Sequence, residues 1–213
     1  SYIDLSGEEP LLIVSAKGVF AEEKPTVDSS KMFKDVKETS WFKGAVDYVV
    51  TEGLMNGVSE DTFNPNGTMT RAMLVTVLWR LEGEPASSVK VPFTDLKQAW
   101  YKDAVAWAYE NEIVNGTSAD KFSPNGAITR EQMAAILFRF SEYKGYDVSS
   151  SGVIKNFPDA GKVHSYAEEA LSWAVGEGLI GGVAKDGKSY LTPRGSATRA
   201  QVATILQRFC EKH

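Results

Sequence analysis

In the stretch WYKDAVAWAYENEIVNG, which starts at Trp100, the apolar residues Tyr101, Ala104, Val105 and Ala108 recur at the three- and four-residue spacing of one helical face. A second amphipathic pattern follows a loop, with Met133, Ile136, Leu137 and Phe140 on its apolar side. The pair is not unique. WFKGAVDYVVTEGLMNG from Trp41 and YAEEALSWAVGEGLIGG from Tyr166 repeat the first pattern, and each copy ends in a turn that contains Gly57, Gly116 or Gly182. A glycine is expected where a helix terminates.

The repetition extends to the flanks. Phe33-Lys34-Asp35-Val36 recurs as Phe93-Thr94-Asp95-Leu96 and as Phe157-Pro158-Asp159-Ala160. The inter-helix loops read Phe63-Asn64-Pro65-Asn66-Gly67, Phe122-Ser123-Pro124-Asn125-Gly126 and Leu191-Thr192-Pro193-Arg194-Gly195. Thr70-Arg71, Thr129-Arg130 and Thr198-Arg199 then open the second helices at a constant distance from the loop Phe or Leu. The third copy carries a three-residue insertion around AKDGKSY. A single helix pair cannot bury its apolar face, so the three copies are expected to pack on one another. The expectation is an all-α fold of three helix-loop-helix repeats.

Segments rich in Gly, Pro and Ser separate the copies, Glu82 to Pro92 and Glu142 to Asn156. They divide the chain into an N-terminal segment, residues 1–32, and three units over 33–90, 91–152 and 153–213. The first segment is read as the remnant of an upstream domain. Its Leu11–Phe20 section is a strand or a buried edge, and Glu22 to Lys31 a polar tether.

The starts of the second helices pose a chemical question. Thr129 with Gln132 and Thr198 with Gln201 fit a capping box, whereas Met73 leaves the first copy's box incomplete. Each cap is followed by an arginine, and a cation at the positive end of a helix dipole is locally unfavourable. Two readings of Arg71, Arg130 and Arg199 stand side by side. Each pairs with an aspartate, Asp35, Asp95 or Asp159, and pins one copy to the next. Or each joins the free N-terminal amides of its helix in an anion site suited to a carboxylate. Trp41, Trp100 and Tyr166 open the first helices; core packing is the common fate of such residues, with stacking on a sugar ring as the sharper alternative. Trp107 and Trp173 lie deeper in the apolar pattern and belong to the core.

Composition changes the picture little. The 213 residues are 43% hydrophobic and 24% charged, with a net charge of −5. That balance argues against a general nucleic-acid binder, and no apolar run is long enough to span a membrane. The longest, Pro10 to Phe20, contains Lys17 and Gly18. Ser1, Asp4, Glu8 and Glu9 do not resemble a signal peptide, so the chain is either cytosolic or a fragment of an exported protein. The lone Cys210 excludes an internal disulfide framework and reads as a packed thiol. His164 and His213 lack companions at zinc spacing and read as solvent-exposed. SEDTFNPNG and SADKFSPNG break the alternation of an EF-hand loop. Glu168 to Leu171 reads as a solvated helix face. Nothing calls for a cofactor, a metal or a catalytic residue.

Taken together, F-x-D, W-x-x-x-A-[IV], G-[IL]-[IVM]-x-G and F-x-P-x-x-x-[IM]-T-R-[AE]-[EQ] resemble the S-layer homology motif, in three tandem copies from Phe33 onward. The resemblance implies a pseudo-threefold trimer of motifs within one chain. It also implies extracellular, wall-associated anchoring of exported Gram-positive proteins through a secondary cell wall polysaccharide bearing pyruvylated N-acetylmannosamine. The family's grooves lie between motifs, and by position they implicate Arg71, Arg130 and Arg199, Asp35, Asp95 and Asp159, Trp41, Trp100 and Tyr166, and Gly57, Gly116 and Gly182. The alternative is a protein–protein assembly module of a surface layer that binds no glycan. Oligomeric state is open.

Overall fold

The computed structural model describes residues 12–14, 20–22 and 25–213. Ser1–Glu9 and most of the apolar run from Pro10 lie outside the described residues. The Leu11–Phe20 section contributes two short antiparallel strands, β1 (Leu12–Val14) and β2 (Phe20–Glu22), with Ile13 opposite Ala21. The described part of the expected tether is not merely a tether. It contains a helical turn, α1 (Ser29–Met32), capped by Asp28, whose carboxylate accepts from the Ser30 amide. The buried Ser29 donates its amide to Asp47 of the first long repeat element, which docks the turn there.

The three repeats supply helix pairs: α2 (Lys43–Thr51) with α3 (Arg71–Leu81), α4 (Lys102–Glu110) with α5 (Arg130–Tyr143), and α6 (Glu168–Gly176) with α7 (Arg199–Lys212). The two helices of one motif are not each other's main partners. Instead α3 packs on α4, α5 on α6, and α7 returns to α2, so every motif hands its second helix to the next. The third hand-over closes the ring. One continuous core results, in which Trp107, Trp173, Phe140, Phe209, Leu74 and Leu78 are fully buried.

Backbone hydrogen bonds close the same cycle at the loops. The Met69 amide donates to the Ala197 carbonyl, Ala197 to Ile128, and Ile128 back to Met69, at 2.9–3.0 Å. This triangle of equivalent residues marks the pseudo-threefold axis. The Thr hydroxyls of Thr70, Thr129 and Thr198 cap their helices, and Gln132 and Gln201 complete the boxes that Met73 cannot. The insertion in the third motif forms a hairpin, β3 (Val183–Lys185) and β4 (Lys188–Tyr190), turning through Asp186 and Gly187 at positive φ. Among the described residues no helix is long and apolar enough to cross a membrane.

Candidate functional site

Each arginine at a second-helix start leaves its own motif and enters the loop of the next. Arg71 Nε donates to the Phe122 carbonyl (2.9 Å) and Nη2 to the Asn115 carbonyl (3.0 Å). Arg130 reaches the carbonyls of Leu191 (2.8 Å) and Gly181 (2.5 Å), and Arg199 those of Phe63 (2.8 Å) and Asn56 (2.6 Å). Arg71 and Arg199 also lie over the Phe122 and Phe63 rings at 4.8 and 4.6 Å. Leu191 offers the third arginine no ring.

The expected Arg–Asp hydrogen bond is therefore not made. Asp95 accepts instead from the amides of Phe122 and Ser123 at 3.0 and 2.8 Å. Asp35 holds Phe63 and Asn64 in the same way, and Asp159 holds Leu191 and Thr192. One peptide unit mediates between the charges: the Phe122–Ser123 peptide gives its N–H, on Ser123, to Asp95 and accepts from Arg71 at its C=O, on Phe122. The clamp fixes Asn64, Ser123 and Thr192 at φ of 59°, 58° and 47°, a left-handed conformation that otherwise favours glycine. The two amide bonds pull the Asp95 carboxyl below the ordinary carboxylate range against the opposing effect of burial. Burial draws the Arg71 guanidinium down from its usual value, opposed by the charge of Asp95.

The free-amide reading is corrected as well. The Arg71 and Ala72 amides donate to Gly126 and Pro124, those of Arg130 and Glu131 to Gly195 and Pro193, and those of Arg199 and Ala200 to Gly67 and Pro65. The third amide of each helix goes to the Thr cap. With these donors engaged across motif boundaries, the helix N-termini hold neighbouring loops and offer no empty anion cradle. Arginine tolerates the dipole there because its charge is delivered to carbonyls of the next motif, well away from its own backbone.

The three helix-opening aromatics are exposed, against the core expectation: Trp41 69%, Trp100 50% and Tyr166 52%. The residue after or near each takes the core position instead, as Phe42, Tyr101 and Ala167 do. Gly57, Gly116 and Gly182 do not terminate the helices either. The left-handed residues after the first helices are Gly53, Glu112 and Gly178. Gly116 is a close-packing position: a Cβ there would strike the Ser118 and Lys121 carbonyls and come within 2.7 Å of the Phe93 ring. Gly57 and Gly182 meet Phe33 and Phe157 in the same fashion.

Arginine, glycine and aromatic from three different motifs meet in one cleft. Arg71 of the first motif, Asn115-Gly116-Thr117 and α5 of the second, and Tyr166 of the third enclose about 400 Å³. Arg130, Gly181-Gly182, α7 and Trp41 enclose about 250 Å³ in the next position around the ring. The aspartates stand behind the loops as supports; they are not lining residues of either cleft. Two lining positions went unnoticed in the sequence. Arg139 and Arg208 stand nine residues beyond Arg130 and Arg199, and Arg80 completes the series, a register visible in the repeat itself. Arg208 donates to the Gly178 carbonyl and Arg80 to that of Leu54, whereas Arg139 makes no hydrogen bond or ion pair among the described residues. Gln132 and Gln201 line the clefts beside them.

Tyr166 is held in place at the mouth. His164 stacks on it at 5.8 Å, and His164 Nδ1 lies 2.6 Å from the 2%-exposed Glu131 carboxylate, which also accepts the His164 amide. Exposed as expected, His164 is thus far from idle. Burial and the neighbouring Glu131 charge push the Tyr166 phenol up. His213 stacks on Tyr146 at 4.3 Å, and Cys210 is half-buried with its thiol pushed up by burial, a packed thiol as read. Of Glu168 to Leu171, only the two glutamates face solvent; Ala170 and Leu171 are buried.

A family profile described as the S-layer homology domain matches residues 33–72, 92–134 and 156–203. The chain is 36% identical over 174 residues to an endoglucanase of Bacillus sp. (strain KSM-635), covering 82% of this chain and 18% of that protein. It is 34% identical over 189 residues to the surface-layer 125 kDa protein of Lysinibacillus sphaericus, covering 88% of this chain and 16% of the relative. A cellulosome-anchoring protein of Acetivibrio thermocellus is 27% identical over 136 residues, which is 61% of this chain and 30% of the relative. The matched region is thus less than a third of each relative's length.

Proposed function

This chain belongs to the S-layer homology domain family, and from that premise we propose that it anchors a cell-surface protein by holding an anionic, pyruvylated secondary cell wall polysaccharide in the clefts between motifs. Surface anchoring is the coarse function of the family, and the module sits at the cell wall outside the cell. The ligand is the finer step. The observation that carries it is the cleft between the first and second motifs. There two guanidiniums, Arg71 and Arg139, share one cavity whose mouth is an exposed aromatic ring. A carboxylate needs a cation that is not already paired, and among the described residues Arg139 is such a cation. A sugar ring needs a rigid apolar face, and Tyr166 supplies one. Arg71, Arg130 and Arg199 then contribute field and shape while their forks stay on the loop carbonyls. Reading of charge in the cleft falls to the second arginine.

The test is co-sedimentation with purified cell-wall sacculi, before and after removal of pyruvyl groups. The expected result is retention of the chain on pyruvylated sacculi, weakening as salt rises, and loss of retention for Arg139→Gln with an unchanged melting curve. Equal retention on depyruvylated sacculi overturns the ligand assignment. Growth of light scattering without any polymer would instead favour the assembly reading, in which motifs of different molecules pair and no glycan is bound.

A further inference from the structure

The Arg71–Arg139 cleft does not end at Arg139. On the far side of that side chain a second cleft of about 550 Å³ opens, and Arg139 and Asn115 line both. Its remaining walls are Asn111, Glu112, Glu142 and Tyr143. Two of these residues, Glu112 and Tyr143, set the second motif apart from its siblings. Glu112 sits at φ 57° in the left-handed position that Gly53 and Gly178 occupy in the other copies, a conformation unfavourable for a side chain with a Cβ. Tyr143 occupies the register position of Glu84 and Lys212, whereas Glu142 recurs as Glu211 in the third motif and is replaced by Gly83 in the first. The Tyr143 ring is 39% exposed yet firmly seated, stacked on Phe140 at 6.2 Å and edge-on to Trp107 at 5.8 Å. Neither glutamate makes an ion pair with Arg139, although all three line the same cavity.

We infer that this second cleft is a subsite for a neutral sugar residue adjoining the anionic one, so that the groove between motifs 1 and 2 reads at least two consecutive residues of the polymer. The inference rests on the proposed glycan reading and extends it. A preset aromatic face, two carboxylates and two amide side chains form a surface that stacks a pyranose and accepts hydrogen bonds from its hydroxyl and acetamido groups. The charges also select. Glu112 and Glu142 repel a second anion, so the site accepts a neutral neighbour and disfavours a residue carrying its own carboxylate. Arg139 stands between the two clefts and is shared by both.

The experiment is calorimetric titration of the intact chain with two probes. One is the methyl glycoside of pyruvylated N-acetylmannosamine, and the other is the same residue joined to a neutral N-acetylglucosamine. The expected result for the wild type is disaccharide binding about tenfold tighter than the monosaccharide, which corresponds to about 1.4 kcal/mol. Tyr143→Ser should abolish that gain and leave the monosaccharide affinity unchanged. Because Tyr143 packs on the core, Glu112→Gly is the second variant. It relieves the left-handed strain, so it should melt higher than wild type, and it should still lose part of the disaccharide gain. Equal affinity for both probes overturns the subsite while leaving the anionic cleft intact, as does an equal loss for both probes in Tyr143→Ser. Binding of neither probe overturns the subsite together with the ligand reading on which it depends.

Discussion

Arg71 and Arg139 line one cavity, yet they should respond oppositely to removal. Arg71→Ala takes away two hydrogen bonds from a charged donor, those to the Phe122 and Asn115 carbonyls. Bonds of that kind are worth about 1.5–3 kcal/mol each, and neither carbonyl has another partner among the described residues to fall back on. The loss is about 4 kcal/mol, a large share of the roughly 5–15 kcal/mol that keeps a typical protein folded. For a chain of this size that lowers the melting temperature by about 8–16 °C. Arg71→Lys keeps the charge but cannot fork to two carbonyls, so it should recover about half of the loss. Arg139→Ala removes a half-buried group that makes no hydrogen bond or ion pair among the described residues and should cost about 0.5 kcal/mol or less, as ordinary surface changes do. Thermal and urea unfolding followed by circular dichroism measure all three. A melting temperature for Arg71→Ala within about 2 °C of wild type would refute the assignment of that arginine as an inter-motif pin. So would an Arg139→Ala protein as unstable as Arg71→Ala.

Other consequences follow from the same contacts. Gly116→Ala places a methyl group against two backbone carbonyls and the Phe93 ring, and should cost about 1–3 kcal/mol in chemical unfolding. Asp95 has a folded-state pKa below its unfolded value. Its contribution is therefore present in full above the ordinary carboxylate range and is lost as the pH falls through the lower folded value. Asp95→Asn should flatten that acid limb of the stability curve, as read by melting temperature against pH. Met73→Gln would allow the first motif the same capping box as its siblings and should raise stability by about 0.5–1 kcal/mol, measured by urea midpoint.

Much of the architecture is legible in the chain because it repeats. The three T-R starts, the Thr caps and the positions of Trp107 and Trp173 follow from local pattern alone, and local pattern is what periodicity reports. The exchange of helices between motifs does not. Whether α3 packs on α2 or on α4 depends on loop geometry that no residue spacing encodes. The same limit explains the arginines. Arg130 looks misplaced at a helix start because its partners, Leu191 and Gly181, belong to another motif. Trp41, Trp100 and Tyr166 read as core because a large apolar side chain at a helix start is ambiguous by one residue, and here its neighbour or near neighbour is the buried one. Arg80, Arg139 and Arg208 were within reach, since they recur in register. Glu112 was legible too, as a charged residue standing where two siblings have glycine, but its meaning needs the adjoining cavity.

The account's central claim is that the cleft between motifs 1 and 2 receives the anionic sugar, with Arg139 as its reader. The most direct measurement is a crystal of the chain soaked with pyruvylated N-acetylmannosamine. The predicted result is density in the Arg71–Arg139 cleft, with the pyruvyl carboxylate on Arg139 and the ring against Tyr166, while the Arg71 fork remains on Phe122 and Asn115. Density elsewhere on the molecule would contradict the account, as would a bound sugar whose carboxylate is directed away from Arg139.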